Sequence, residues 1–357
     1  MAGTSPQLEA TLDHEEVVVR KGARTGLPVI VAVHSTLLGP ALGGLRVTTY
    51  DSPADAVVDA LRLSRGMTFK AASVDNGTGG GKAVVPLLPG GPRRLDGQFR
   101  TSVLLDLADV VDSLGGRYVT APDVGTGPAE MAVVRTRTSH VGGYTTMPDG
   151  GPATTFGTAG GVERAILATA RHLWRSTDLT GRELVVIGFG GVGRALTRML
   201  LERGAKVAAS DIDGSLRAPA EELGASWVPL EQAYEADVDL VVPCALGGVL
   251  TPELVPRLRC RAIVGCANNQ LSSDSVAELL RAKGVLWAPD FVSNAGGILY
   301  ASGREIGRLT HEQAVDRLGR IEETTLQVLA RSEREGVTTL AAAYDVARER
   351  LARATAH

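Results

Sequence analysis

Three cysteines, Cys244, Cys260 and Cys266, are all that 357 residues contain. They are too few and too irregularly spaced for a metal knuckle or a disulfide framework, so no metal is expected and a reducing compartment suits them. Their residue type favours buried apolar thiols. An excess of one charge is also missing: 37 basic side chains against 40 acidic ones leave a formal net charge of −3. Without a basic surplus nothing attracts a polyanion, and nucleic acid is not expected as a partner. No run approaches ~18 uninterrupted apolar residues, which argues against a membrane span. Met1 to Glu16 has no basic region followed by an apolar run, so no secretory signal is read there and the cytoplasm is the expected location. Internal repeats are absent as well. What remains is the composition of a soluble globular protein, 44% hydrophobic and 22% charged, in a chain long enough for two domains.

The first part reads as a compact α/β unit. β-branched runs at Glu16 to Val19 and Leu27 to Val33 predict strands. Ser52-Pro53 is an N-cap and N1 pair for a helix to Arg65, with Ala56, Val57, Ala60, Leu61 and Leu63 on its apolar side; a loop is expected after it. Gly77 to Lys82 reads as a glycine loop, and a second helix as Thr101 to Leu114. Between His140 and Gly161 the composition shifts to Gly, Thr and Pro, the pattern of a linker, and a domain boundary is placed near residue 150. A helix from about Thr158 to Trp174 then leads into apolar strands alternating with helical segments: Leu184 to Gly188, Lys206 to Ser210, Val238 to Pro243, Ala262 to Cys266 and Val285 to Ala288. That alternation is the pattern of a parallel, doubly wound sheet. The chain ends in helical segments from Glu312 onward.

The strongest general motif is Gly188-Phe189-Gly190-Gly191-Val192-Gly193, between an apolar strand and a helical run. Gly188 suits a tight turn, Gly190 the close approach of a pyrophosphate, and Gly193 close packing of helix on strand. The free N–H groups and dipole of the helix N-terminus supply the positive field. Asp211 closes the next strand, where a carboxylate can bind both hydroxyls of an adenosine ribose; with Asp213 beside it in place of an arginine, NAD is favoured over NADP.

Two further places invite chemistry. Lys82 follows three glycines, and glycines crowded beside a charge often mark the close approach of a ligand or backbone. A solvent lysine on a flexible turn fits this pattern, and so does a lysine in a dry pocket, deprotonated near neutral pH by burial and a second cation such as Lys70. Asp123, in Thr120-Ala121-Pro122-Asp123-Val124-Gly125-Thr126, either shapes a turn or moves a proton.

Seven segments together resemble the leucine, valine and phenylalanine dehydrogenases of the glutamate dehydrogenase superfamily. They are Leu38 to Gly44, Gly66 to Lys70, Gly79 to Lys82, Asp123 to Thr126, Pro243 to Gly247, Ala267 to Leu271 and Ala288 to Gly297, in that family's order and close to its spacing. The resemblance implies that Lys82 is the general base activating water, Asp123 the acid exchanging a proton with the substrate nitrogen, and Lys70 with Asn268 the grip on the substrate carboxylate. Thr158 and Asn294 would position the nicotinamide and its ribose. Gly43 would border the substrate, with Leu42, Ala121, Ile298 and Ala301 forming its side-chain pocket. Leu42 and Ala121 look like the branched-chain enzymes, Gly303-Arg304-Glu305 like the phenylalanine branch, and Thr78 stands where the family carries a large apolar residue.

The expected architecture is thus two-domain α/β: residues 1–150 for substrate and oligomerisation, residues 151–325 as a Rossmann dinucleotide-binding domain, and residues 326–357 as a helical segment returning to the first. The expected activity is reversible NAD-dependent oxidative deamination of an apolar L-α-amino acid, branched-chain or aromatic, to its 2-oxo acid and ammonium, in a homo-oligomer. Hydride would leave the α-carbon for the nicotinamide, water would attack the iminium, and the carbinolamine would collapse. The readings set against it are an NAD-linked imine or amine reductase, disfavoured by Lys70 and Asn268, and a non-catalytic NAD-binding homologue.

Overall fold

A computed structural model describes residues 13–92, 94–148 and 150–355; of the stretch read for a signal, Met1 to Leu12 lie outside the described residues. The chain forms two compact units, residues 13–146 with 350–355, and residues 147–349.

The first unit is built on a five-stranded sheet of β1 (Glu16–Lys21), β2 (Pro28–Ser35), β3 (Ala41–Thr49), β4 (Gly79–Leu87) and β5 (Tyr118–Pro122), in the order β1-β2-β4-β3-β5. β2 runs antiparallel to β1 and β4, while β3 is parallel to β4 and β5. Side chains alternate across it with the two-residue period of a strand. Ala83, Val85 and Leu87 of β4 join one cluster with Leu104, Leu107 and Val111 of α2 (Gly97–Ser113) and Met131 and Val134 of α3 (Pro128–Arg135). Val84 belongs to the other face, with Ile30, Ala32 and the Ala56, Ala60 and Leu61 stripe of α1 (Pro53–Ser73). Lys82, two residues before Val84, therefore projects toward the α1 face.

Two expectations are corrected here. Ser52 caps α1 as read, its Oγ accepting from the Asp55 N–H at 3.2 Å, but the helix continues past Arg65 to Ser73 and takes Gly66 to Lys70 with it. Thr68, Ala71 and Ala72 prolong the buried stripe, and that packing outweighs the ~1 kcal/mol a helical Gly66 costs. The triple glycine is not a flexible turn. Gly79, Gly80 and Gly81 open β4, and all three are buried. A Cβ on Gly80 would collide with the Thr68 backbone, and one on Gly81 would lie 2.6 Å from the Tyr118 ring. They are glycines because a helix and a ring lie directly on the strand.

In the second unit, β6 (Glu183–Ile187), β7 (Lys206–Ser210), β8 (Ser226–Trp227), β9 (Leu240–Pro243), β10 (Ala262–Ile263) and β11 (Leu286–Trp287) form a parallel sheet in the order β11-β10-β9-β6-β7-β8. This is the doubly wound arrangement read from the alternating pattern. β10 is shorter than expected. α4 (Ala153–Trp174) starts earlier than expected, within the Gly- and Thr-rich stretch read as linker. Its Gly157 and Gly161 admit the helix Gly296–Glu305: their Cβ atoms would stand 2.6 Å from the Gly296 carbonyl oxygen and 2.8 Å from its Cα. Close packing of two backbones, which composition cannot report, is the reason those glycines are helical. At the end of the C-terminal helix, Arg350 donates to the carbonyls of Ala72 and Ser73 in the first unit. Among the described residues no helix is long and apolar enough to cross a membrane, and no group of three or more His, Cys, Asp or Glu could hold a metal.

One buried carboxylate fastens the turn after β1. Asp106 of α2 accepts from the Arg24 and Thr25 N–H groups at 3.0 and 2.9 Å and from the Thr25 hydroxyl at 2.7 Å. Burial opposes its ionisation, but the hydrogen bonds from Thr25 and Arg24 outweigh it and hold the carboxyl below its ordinary pKa. Asp106→Ala is expected to lower stability to urea by about 3 kcal/mol at neutral pH. Because the folded pKa is depressed, the advantage of the native protein is full above the unfolded value of ~3.9 and shrinks as pH falls through the folded one. A variant as stable as the native chain at neutral pH would rule out this fastening.

Candidate active site

In the first unit the fold brings Lys82 and Asp123 together. Lys82 lies in the interior of β4, 4% exposed, with Nζ 2.8 Å from Asp123 Oδ2. Asp123 stands one residue past β5, in a turn that its neighbours lock. Its N–H donates to Thr126 Oγ at 3.0 Å, the Thr126 hydroxyl donates to the Leu45 carbonyl at 2.9 Å, and the Val47 N–H donates to Val124 at 2.9 Å. Gly125, at φ +82°, completes the turn, and a side chain there would collide with Val47. The Asp-Val-Gly-Thr motif thus has a local explanation: each residue of it holds the carboxylate at the end of β5.

Gly44, on the neighbouring strand, leaves room for Asp123, whose Cβ would be 2.7 Å from a Cβ placed there. Gly43 is required by the Gly81 backbone beside it, and its carbonyl accepts from the buried Tyr118 hydroxyl at 2.5 Å. Parallel pairing sets Leu42 opposite Gly80 and Val119, and Gly44 opposite Ala121. Leu42 and Ala121 therefore share the face of the sheet that carries Lys82. Lys70 lies on α1, in its last turn, partly buried.

The cation set against the pair is Arg46, which sequence reasoning missed. Arg46 of β3 donates from Nε to Asp123 Oδ2 at 2.8 Å and from Nη1 to Asp59 Oδ2 at 3.0 Å, and the Tyr50 hydroxyl donates to the same Asp59 oxygen at 2.7 Å. One signal was available: an arginine inside an apolar strand run, directly after Gly43-Gly44-Leu45. Burial pushes the Lys82 ammonium down from the usual lysine pKa, and Arg46 adds to it; Asp123 pulls the other way without cancelling the shift. For Asp123, burial favours the neutral acid, yet Lys82 and Arg46 outweigh it and keep the carboxyl below its ordinary range.

The second unit carries the dinucleotide motif in the expected setting. Gly188 follows β6 at φ +106°, and α5 (Gly191–Glu202) begins immediately after Gly190. A Cβ on Gly193 would collide with the Gly188 carbonyl, so helix and turn touch through bare backbone. Gly190 and Gly191 are exposed, the space where a Gly190 side chain would stand is open, and among the described residues no side chain caps α5. Donors left free at an uncapped, glycine-lined helix start fit a pyrophosphate. Asp211, directly after β7, accepts from the Phe189 N–H at 2.7 Å and the Asp213 N–H at 3.0 Å, which ties it to the glycine turn. Exposed Ile212 follows it.

Asn294 is buried, and its Nδ2 donates to the Cys266 carbonyl at 3.2 Å and to Asn268 Oδ1 at 2.9 Å, leaving Oδ1 with no partner among the described residues. An orphaned buried acceptor fits a ligand amide, so the residues present suit a nicotinamide dinucleotide. Asn268 is thereby oriented with its oxygen engaged. Thr158 lies within α4, where its hydroxyl would be 2.6 Å from a Cβ on Gly297. Ile298 and Ala301 occupy the helix Gly296–Glu305. In the turn before β4, the buried Thr78 accepts from Asn76 Nδ2 at 2.8 Å.

Comparison with known proteins sets this geometry in context. Residues 12–140 match the family model described as Glu/Leu/Phe/Val dehydrogenase, dimerisation domain, and residues 219–357 match the one described as Glutamate/Leucine/Phenylalanine/Valine dehydrogenase. Residues 160–247 match the NAD binding domain of D-isomer specific 2-hydroxyacid dehydrogenase. Leucine dehydrogenase of Bacillus cereus is 37% identical over 345 residues, 95% of this chain and 91% of that protein. Valine dehydrogenase of Streptomyces albus is 38% identical over 347 residues, 96% of this chain and 93% of its own length. The crystal structure of L-tryptophan dehydrogenase from Nostoc punctiforme superposes with a TM-score of 0.85 at 34% identity, covering 98% of this chain and all of that one.

Two substitutions test the second-unit site. Gly193→Val, which inserts bulk between turn and helix, is expected to weaken NADH binding by more than about tenfold in a fluorescence titration. Asp211→Ala should weaken it without adding a catalytic defect at saturating cofactor; unaltered affinity in both would show that the dinucleotide binds elsewhere.

Proposed function

The chain belongs to the Glu/Leu/Phe/Val dehydrogenase family, and from that premise we propose that it catalyses the NAD-dependent, reversible oxidative deamination of an apolar L-α-amino acid to its 2-oxo acid and ammonium. The observation that carries the reading is the buried Lys82–Asp123 pair at 2.8 Å. Relatives named leucine, valine, phenylalanine and L-tryptophan dehydrogenase support the apolar substrate class.

The chemistry NAD supplies when bound is acceptance of a hydride from the substrate α-carbon. Residues 188–193 and Asp211 hold the dinucleotide, with Thr158 and Asn294 toward its nicotinamide end. Lys82, its pKa lowered by burial, takes a proton from the water that attacks the iminium carbon, a step that needs the free amine. Asp123 exchanges a proton with the substrate nitrogen and so lets ammonia leave the carbinolamine. Lys70 of the first unit binds the substrate carboxylate, and Asn268 of the second, its Oδ1 held by Asn294, keeps Nδ2 as its donor. Leu42 and Ala121 of the first unit, and Ile298 and Ala301 of the second, are apolar or small, the residue types that accept a hydrocarbon side chain. A change of one methylene there shifts discrimination by about 1–3 kcal/mol. The first unit serves substrate and self-association, in line with the dimerisation-domain description of its family model, and the chain works as a cytoplasmic homo-oligomer.

The test is oxidation of NADH with ammonium and a panel of 2-oxo acids, from the valine and leucine analogues to phenylpyruvate and indolepyruvate. Ammonium-dependent turnover is expected, and its ranking gives the preferred side chain; silence across the panel would refute the proposal. Lys82→Ala should abolish turnover while NADH still binds. In the deamination direction kcat/KM should rise with pH through a limb below the usual lysine value, because the base must be neutral and its pKa is lowered; a limb at ~10.4 would show an unperturbed lysine.

A further inference from the structure

Asp123 must present one oxygen to a substrate nitrogen while its partner Lys82 alternates between ammonium and amine. We propose that Arg46 is a positioning residue: it clamps Oδ2 of Asp123 throughout the cycle and thereby dedicates Oδ1 to the proton exchanged with substrate. The proposal rests on the dehydrogenase reading above and concerns a residue to which that reading gives no role.

Geometry carries it. Both cations meet the same oxygen, Lys82 Nζ at 2.8 Å and Arg46 Nε at 2.8 Å from Oδ2. Among the described residues no hydrogen bond or ion pair reaches Oδ1, although the side chain is 24% exposed. The clamp is itself anchored. Arg46 Nη1 reaches Asp59 Oδ2 at 3.0 Å, the Tyr50 hydroxyl donates to that oxygen at 2.7 Å, and Arg62 Nη2 holds Asp59 Oδ1 at 2.8 Å. A guanidinium can span two carboxylates from separate nitrogens of one rigid plane, which a single ammonium does poorly.

The chemical reason for an arginine follows from the role of Lys82. Each time Lys82 gives up its charge, a carboxylate held by it alone would lose its only cationic partner and be free to turn. Arg46 does not deprotonate in the working range, so the Oδ2 contact persists when Lys82 is neutral. The groups facing the pair come from four places: Arg46 on β3 and Tyr50 just after it, Asp59 and Arg62 on α1, Lys82 on β4, and Tyr118 on β5 beneath. Arg46 lowers the proton affinity of both Lys82 and Asp123. Removing its charge must therefore move both upward.

The experiment compares Arg46→Met, which removes charge and fork, with Arg46→Lys, which keeps the charge and loses the fork. Thermal unfolding of each confirms folding. Two readouts are taken on the full-length protein: the pH profile of kcat/KM, and the pH dependence of Lys82 acetylation by acetic anhydride, followed by peptide mass spectrometry. The second requires no turnover.

For Arg46→Met we expect kcat to fall about 100-fold, KM for the 2-oxo acid to change far less, and the Lys82 titration and acidic limb to move to higher pH. For Arg46→Lys we expect a smaller loss of kcat with the Lys82 titration near its native position. Native kcat in Arg46→Met, an unmoved Lys82 titration in it, or an equal displacement in Arg46→Lys overturns the proposal. Should Arg46→Met fail to fold, native kcat in Arg46→Lys does the same. A native enzyme without ammonium-dependent turnover refutes the dehydrogenase reading, while the Lys82 titration still decides whether Arg46 governs the pair.

Discussion

An ammonium in the interior of a sheet strand is among the costlier things a fold can contain, and the first unit is arranged around that cost. Lys82 sits where a valine would be expected in a central strand, between β2 and β3 and under α1. Its charge is tolerable because Asp123 is 2.8 Å away and is itself shared with Arg46. The same burial that makes the charge expensive lowers the proton affinity of the amine, so the cost to the folded state and the shifted titration have one origin.

The small residues around Lys82 follow from the same constraint. Gly44 gives way to the Asp123 side chain, Gly43 to the Gly81 backbone, and Gly80 to the Thr68 backbone of α1. Each is occupied by neighbouring atoms where another residue would have a Cβ. The second unit uses close approach differently. At Gly193 helix and turn meet through backbone, whereas at Gly190 the vacant side-chain position opens outward beside an uncapped helix start. Glycines of the first kind make a packed interior, and those of the second kind leave a surface that a phosphate can approach.

Much of this was legible in order along the chain. The parallel, doubly wound sheet followed from apolar runs alternating with helical ones, and Asp211 from its distance beyond the glycine motif. Asp123 could be placed at a strand end. Other features were not legible, for identifiable reasons. Gly66 and Gly157 look like helix breakers by propensity, yet in both cases tertiary packing of small residues overrode that tendency. The triple glycine before Lys82 has the composition of a turn, and only the layers above and below reveal a strand.

What the sequence by itself determined is the order of the parts: a glycine-rich turn between strand and helix, an acidic residue after the next strand, and lysines and an aspartate distant along the chain. Those follow from residue type and spacing, which are local properties. Tertiary structure alone decided which charges meet. Arg46, Asp59 and Asp123 lie on β3, α1 and the end of β5, and nothing in their spacing sets a guanidinium between two carboxylates. Strand register and the packing of α1 on the sheet bring Arg46 within 3.0 Å of both carboxylates, because the interior can hold those charges only where the fold pairs them.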